Sequence, residues 1–112
     1  MLPLSPIALF VYNRLDHTQQ TIEHLKQNAL AAQSELFVFS DGGKDEESWK
    51  TVNLLRKYLH TVTGFKEIHL IERAENFYLE RNITEGIQQV LQNHDTVIVL
   101  EDDICTSPVF LT

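Results

Sequence analysis

Four short apolar runs, separated by three stretches with the spacing of a helix face, constrain the fold of this chain more than any other feature. The runs lie at residues 6–12, 36–40, 67–71 and 96–100, and each has the Val, Ile, Leu and Phe content of a fully buried strand. Between them, apolar residues recur every three or four positions, which predicts helices. These residues are Ile22, Leu25 and Leu30; Trp49, Val52, Leu55 and Leu59; and Ile83, Ile87, Val90 and Leu91.

The alternation of strands and helices predicts an α/β fold with three layers, in which helices cover both faces of a mostly parallel sheet. A chain of 112 residues is long enough for one core, so residues 1–112 are expected to form a single domain. Asp16, with Gln19 three positions later, has capping-box spacing before the first helix, and Leu15 suits a hydrophobic staple. Asp45 and the two glutamates after it are expected at the positive N-terminal end of the second helix.

Charge and composition exclude several functional classes. With a net charge of −7 and only nine Lys and Arg residues, the chain lacks the basic surface that nucleic acid requires. Its one cysteine, Cys105, excludes an internal disulfide framework and fits a reducing compartment. No apolar run approaches the ~20 residues that span a bilayer, and the first residues carry no basic signal-peptide region. We therefore expect a soluble cytoplasmic protein, either free or peripheral to the inner face of a membrane.

Polar residues collect where each predicted strand ends, which in a parallel sheet is the edge that binds ligands. They are Asn13 and Arg14 after the first run, Asp41 after the second, Glu72 and Arg73 after the third, and Glu101, Asp102 and Asp103 after the fourth. Three adjacent carboxylates repel one another, and a divalent ion such as Mg²⁺ or Mn²⁺ would relieve that repulsion. The alternative interpretation of the triplet is a solvated acidic turn.

Two arginines and an aspartate are candidates for contact with a phosphorylated ligand. Arg14 follows the first strand, and Arg81 lies near the start of the third helix, where backbone amides favour an anion. Either arginine can equally be an ordinary surface residue. Asp41 can accept a hydrogen bond from a base, or it can begin an Asx turn before Gly42. The five histidines have no metal-ligand spacing and are expected to be surface or packing residues: His17, His24, His60, His69 and His94.

Two common nucleotide-binding signatures are absent from the sequence. Neither a G-x-x-x-x-G-K-[ST] loop nor a G-x-G-x-x-G fingerprint follows the first strand. A phosphoacceptor receiver domain has a similar length, but Asn13-Arg14 stands where its acidic pair would be expected.

The triplet Glu101-Asp102-Asp103 ends a predicted strand and is followed by Pro108 and Phe110. This segment resembles the Glu-Asp-Asp signature of N-acetylglucosaminyltransferase I and related bacterial family-2-like sugar transferases. The resemblance extends upstream to three further segments. They are the first strand ending in Asn13-Arg14, the second strand ending in Phe39-Ser40-Asp41-Gly42, and residues 76–82, where Tyr78 replaces the usual Gly of an Asn-x-Gly-x-x-x-Asn stretch.

The resemblance implies a GT-A fold that transfers sugar from a nucleotide sugar, usually a UDP-sugar, to a hydroxyl of a glycan, lipid-linked or protein acceptor. It implies that Asp103 ligates Mn²⁺ or Mg²⁺ and that Asp41 reads the uracil. Asp102 would face the ribose or the sugar, and Glu101 would support the site. The donor-binding residues implied in this way are Tyr12, Asn13, Arg14, Asp41, Arg81, Glu101 and Asp102.

In such transferases the general base follows the metal motif, so we expect it beyond Thr112 and expect the sheet to be truncated after its fourth strand. The chain alone is then expected to bind donor without catalysing transfer. We also expect self-association through an apolar tail, namely Ile104, Val109, Phe110 and Leu111. The alternative is a non-catalytic nucleotide-binding or protein-interaction α/β domain.

Overall fold

The predicted alternation of strands and helices is present in the computed structural model, which describes residues 5–102. Each of the four predicted strands is confirmed, with ends within two residues of those expected. The elements are β1 (Ile7–Val11), α1 (Leu15–Lys26), a short 3-10 turn (Ala31–Gln33), β2 (Glu35–Ser40), α2 (Glu46–Leu59), β3 (Glu67–Glu72), α3 (Tyr78–Leu91) and β4 (Ile98–Glu101).

The four strands form one parallel sheet in the order β3-β2-β1-β4. From β1 the chain moves outward to β2 and β3, and then returns to place β4 on the other side of β1. The strand order therefore reverses between β1 and β4, and this reversal is where parallel α/β sheets bind ligands at the carboxyl ends of their strands. The predicted three-layer α/β fold with a parallel sheet is confirmed.

The period-2 alternation of the strands divides the core between the two faces of the sheet. Ile7, Leu9 and Val11 face α1 and α2, whereas Ala8 and Phe10 face α3. On the α3 face the Phe10 and Phe39 rings stack with centroids 5.1 Å apart. Gly86 lets α3 approach this stack, because a Cβ at that position would lie 2.6 Å from Cε1 of Phe10.

The two outer strands of the described sheet are less buried than the apolar runs predicted. All five residues of β1 are buried, whereas β3 has no fully buried residue and Val99 of β4 is 39% exposed. The prediction of four fully buried strands is wrong for β3 and β4, because each pairs with a neighbour on one side only among the described residues. The apolar tail expected to mediate self-association lies outside the described residues, and self-association stays a prediction that light scattering can check.

The expected helix starts are confirmed for α2 and corrected for α1. Asp45 caps α2 by accepting a hydrogen bond from the Ser48 amide at 2.8 Å, and Ser48 Oγ accepts one in return from the Asp45 amide. The first helix begins at Leu15, not after Asp16, because the Arg14 carbonyl already accepts from the Thr18 amide. Asp16 lies in the first turn, where its charge still suits the helix dipole.

The end of α1 also differs from the prediction. The helix ends at Lys26, and Leu30 lies beyond it in the connection to β2. The Asn28 side chain accepts a hydrogen bond from the Leu30 amide at 3.0 Å, which offers the backbone a turn in place of a further helical hydrogen bond. Among residues 5–102, no helix has both the length and the apolar character needed to cross a bilayer.

Candidate functional site

A cavity of about 440 Å³ lies at the carboxyl ends of the strands, beside the reversal between β1 and β4. Six of the seven predicted donor-binding residues line it, and Arg81 does not. The six are Tyr12, Asn13, Arg14, Asp41, Glu101 and Asp102. Residues 7–12 and 35–41 end at the same edge of the sheet, because β1 and β2 are parallel neighbours with Val11 opposite Ser40.

One wall of the cavity, the β1 wall, consists of Tyr12, Asn13 and Arg14. These residues connect β1 to α1, and Arg14 is the N-cap residue of α1. Among the described residues no side chain caps this helix, so its first amides have no side-chain acceptor there. The Arg14 side chain is exposed and pairs with no carboxylate in the described part of the chain. The β1 wall thus presents a guanidinium and a helix N-terminus, both suited to an anion.

The opposite wall, the β2 wall, consists of Asp41, Asn76 and Asn82. Asp41 is buried, and its Oδ1 accepts hydrogen bonds from the Gly42 amide at 2.9 Å and the Phe77 amide at 2.7 Å. Asn76 Nδ2 donates to the Gly42 carbonyl at 2.8 Å and, more weakly, to Asp41 Oδ2 at 3.3 Å. The bond to the Gly42 amide matches the turn role considered for Asp41, and Oδ2 retains acceptor capacity toward the cavity.

Two arginines behind the β2 wall hold the ends of β2 and β3 together. Arg56 Nη2 donates to the carbonyls of Ser40, Asp41 and Arg73, and its Nε donates to Ser40 Oγ at 2.9 Å. Arg73 Nε donates to Asn82 Oδ1 at 3.2 Å. Burial lowers the pKa of both guanidiniums by removing them from water, although nearby carboxylates, Asp41 among them, oppose the effect. These arginines are structural supports, and neither lines the cavity.

The first residue of α3 brings a second tyrosine to the cavity. Tyr78 has φ +61°, a left-handed conformation that is unfavourable for any residue with a Cβ, and it occupies the position where the resembled stretch has Gly. Its amide donates to Asn76 Oδ1 at 3.1 Å. Lys44 Nζ lies 4.9 Å from the centre of the Tyr78 ring and 5.9 Å from that of Tyr12. Lys44 and the two rings therefore form a cationic, aromatic rim that joins the two walls.

Arg81 lies apart from the other predicted residues. Its Nε donates to Glu85 Oε2 at 2.6 Å, and its guanidinium lies 3.8 Å from the centre of the Phe77 ring. It is in the first turn of α3, as expected, but it projects along the exposed helix surface. A contact between Arg81 and a ligand phosphate would require the guanidinium to leave Glu85.

The acidic triplet reaches the cavity through its first two residues. Glu101 ends β4 opposite Phe10, and both Glu101 and Asp102 line the cavity. Thr21 of α1 fixes the turn by donating to the Asp102 carbonyl at 2.8 Å. Asp103, the predicted metal ligand, lies outside the described residues. The described carboxylates are hard oxygen donors, and their chemistry fits Mg²⁺ or Mn²⁺.

Seven lining residues were not among the predicted donor-binding residues: Phe10, Val11, Lys44, Asn76, Tyr78, Leu79 and Asn82. The resemblance over residues 76–82 did point to the segment that holds Asn76 and Asn82. Lys44 carried no such signal, because its place at the cavity depends on how the turn after β2 packs against Tyr12 and Tyr78.

A parallel α/β domain with a polar cavity at its strand-order reversal belongs to the class of open α/β domains whose ligands lie at the carboxyl edge of the sheet. The family model for glycosyl transferase family 2 matches residues 7–112, and the chain belongs to this family. A search of curated proteins finds no match to the chain. The family supports glycosyl transfer by a GT-A-type domain as the general activity, whereas the narrower likeness to N-acetylglucosaminyltransferase I stays a prediction.

Proposed function

We propose that the cavity binds the nucleoside diphosphate part of a sugar donor, most simply a UDP-sugar, for transfer of the sugar to an acceptor hydroxyl. The proposal rests on one observation. In a chain of glycosyl transferase family 2, six residues predicted from the sequence to bind the donor line a single cavity at the strand-order reversal. A net charge of −7 makes the local cations decisive, because a diphosphate needs positive groups that the surface as a whole does not provide.

The two walls bind different parts of this donor. Arg14 and the N-terminus of α1 bind the diphosphate, since both offer N–H donors to phosphate oxygens. The aromatic rim around Lys44 receives the base against Tyr12, and Asp41 Oδ2 accepts a base N–H. Arg81 is kept as a second phosphate contact, available once it leaves Glu85.

The acidic triplet completes the proposed site. Asp103 holds Mg²⁺ or Mn²⁺, with Glu101 supporting the site and Asp102 turned toward the ribose or sugar. When bound, the ion supplies Lewis-acid stabilisation of the departing diphosphate. In the transfer, the acceptor oxygen bonds to the anomeric carbon and loses its proton, while the bond to the diphosphate breaks and its electrons leave with the nucleotide. Arg14 stabilises the charge that collects on the diphosphate.

Thermal unfolding of the full chain with UDP tests the proposal. Because a ligand that binds only the native state stabilises it, UDP at 100 times its dissociation constant should add about 2.7 kcal/mol, and the gain should require Mn²⁺ or Mg²⁺. Asp103→Ala should abolish the metal-dependent part, and Lys50→Ala on the exposed surface of α2 is the matched control. If UDP with metal leaves unfolding unchanged, the proposed binding of a UDP-sugar is wrong, and the result favours the alternative of a non-catalytic nucleotide-binding or protein-interaction domain.

A further inference from the structure

Two glutamates and two histidines gather at the amino end of the sheet, on the face that α3 covers. Glu35 begins β2 and Glu67 begins β3, and the two are direct partners in the parallel register. His69 follows on the same face of β3, and His94 lies in the connection after α3. Glu35 is separated from the end of β2 by five residues, roughly 17 Å at about 3.3 Å each, so this cluster is distinct from the cavity.

The donor atoms of the cluster converge. His69 Nε2 lies 3.3 Å from Glu35 Oε1 and 3.1 Å from Glu67 Oε2. His94 Nε2 lies 3.6 Å from the other oxygen of Glu35. A tetrahedral ion with ligands at about 2.0–2.1 Å separates neighbouring donor atoms by roughly 3.3 Å, so the two distances at His69 Nε2 match edges of one coordination sphere. His94 lies beside this group of three and pairs with Glu35.

Hydrogen bonding alone accounts poorly for this arrangement. An imidazole nitrogen carries at most one hydrogen, yet two carboxylates are directed at His69 Nε2. Glu35 and Glu67 are also like charges directly opposite each other on paired strands, which is destabilising. A divalent cation takes one lone pair from each group and neutralises both carboxylates.

Neighbouring rings orient the two histidines. The Phe37 ring stacks on His69 with centroids 4.3 Å apart and meets the edge of His94 at 5.8 Å. The side chains of Glu35 and His94 are each about three-quarters buried, at 24% and 25% exposed. Glu35 and His69 are therefore held by packing instead of moving freely in water, which lowers the entropy lost when an ion binds, whereas Glu67 is 58% exposed.

We propose that Glu35, Glu67 and His69 form a second metal site that takes a borderline divalent ion such as Zn²⁺, with His94 as a neighbour paired to Glu35. Mixed imidazole and carboxylate donors suit Zn²⁺, whereas Mg²⁺ prefers oxygen donors alone. The ion bridges β2 and β3, the two strands on the side of the sheet farthest from β4, and stabilises their pairing. The site is independent of the proposed donor site and does not rest on that function.

The test measures Zn²⁺ binding to the untagged full chain by competition with a chromophoric chelator at pH 7.5. Cys105→Ser serves as the background, because the single thiol would otherwise compete for the ion. We expect one Zn²⁺ per chain, a raised unfolding temperature with Zn²⁺, and no comparable effect of Mg²⁺. NMR signals of the His69 and His94 imidazoles should shift when Zn²⁺ is added.

Substitutions locate the site. His69→Gln should weaken Zn²⁺ binding by at least about tenfold, and Glu67→Gln, at the more exposed residue, should do the same. Tenfold is the low end of the loss in metal affinity seen when a residue that only hydrogen-bonds to a ligand is replaced. His60→Gln is the matched control, because His60 Nε2 lies 3.2 Å from Glu72 but has no second carboxylate. Asp103→Ala should leave Zn²⁺ affinity unchanged. Absence of Zn²⁺ binding, equal affinity in Glu67→Gln, or loss in Asp103→Ala overturns the proposal.

Discussion

The two walls of the cavity are built in opposite ways. The β2 wall is closely hydrogen-bonded: Asp41 accepts two backbone amides, and Asn76 and Asn82 both bond to the backbone around β2. On the β1 wall, Arg14 is exposed, and within residues 5–102 it has no carboxylate partner and no side chain caps the helix that it begins. Polar groups that already hydrogen-bond within the protein stabilise the fold. Donors that face solvent can instead hydrogen-bond to a ligand with little loss of folding stability. We therefore expect the β2 wall to govern stability and the β1 wall to govern binding.

The largest effect should come from breaking the β2 wall at Asp41. Asp41→Ala leaves the buried Gly42 amide and the part-buried Phe77 amide without their acceptor and should lower the free energy of unfolding by about 3 kcal/mol. Urea unfolding followed by circular dichroism measures the loss. Asp41→Asn keeps one carbonyl acceptor, so its free energy of unfolding should fall by less than that of Asp41→Ala. A change below about 1 kcal/mol in Asp41→Ala would show that the β2 wall is not a scaffold.

The β1 wall should respond in binding and not in stability. Arg14→Ala should weaken UDP by about tenfold, since a charge-assisted hydrogen bond contributes about 1.5–3 kcal/mol, and uridine should be affected far less. The free energy of unfolding should change by less than about 0.5 kcal/mol. Arg81→Ala is the paired variant and should cost less affinity, because Arg81 already bonds to Glu85. Titration calorimetry gives both affinities, and equal losses for UDP and uridine would contradict the phosphate contact.

A smaller change in stability should show whether the β2 wall holds Tyr78 in its unfavourable left-handed backbone conformation. Tyr78→Gly and Tyr78→Ala both remove the ring, and they differ in whether a Cβ must tolerate φ +61°. The Gly variant should be more stable than the Ala variant by about 1 kcal/mol, because only Gly adopts this conformation without steric cost. Comparing their urea midpoints isolates the strain. If the two variants are equally stable, the segment relaxes and Tyr78 is not held by the wall.

The smallest effect concerns Asp45, outside both walls. Hydrogen bonds from the Ser48 amide and hydroxyl lower the pKa of Asp45 below its usual 3.8. Because the folded pKa lies below the unfolded one, the charged cap stabilises α2 above about pH 4, and this contribution is lost as the pH falls through the folded value. The melting-temperature difference between wild type and Asp45→Asn should therefore narrow from pH 5 to pH 2.5. UDP affinity at neutral pH should be unchanged. If the melting-temperature difference instead widened in acid, the charged form of Asp45 would not be the one that stabilises α2.

Local sequence was sufficient to predict the elements and much of the cavity. Apolar runs marked β1 to β4 because the preference for a strand lies in the side chains of each run. Asp45 marked the start of α2 through its charge, and the structure shows that it also caps the helix by accepting from the Ser48 amide. The cavity residues followed from a general property of parallel sheets, whose carboxyl ends meet at one edge. The start of α1 was misjudged by two residues, because Asp16 suits a cap and a first turn equally well.

Contacts between distant segments were decided only by the tertiary structure. The order β3-β2-β1-β4 leaves two strands at the edges, and nothing in the apolar runs distinguished those strands from the buried β1 and β2. Lys44 meets Tyr12 and Tyr78 only through packing of the turn after β2. The histidines showed no metal-ligand spacing, yet strand register and the return from α3 bring His69 and His94 to Glu35. The physical reason is that periodicity and caps depend on neighbours a few residues away, whereas these contacts depend on which strands pair and which faces their helices cover.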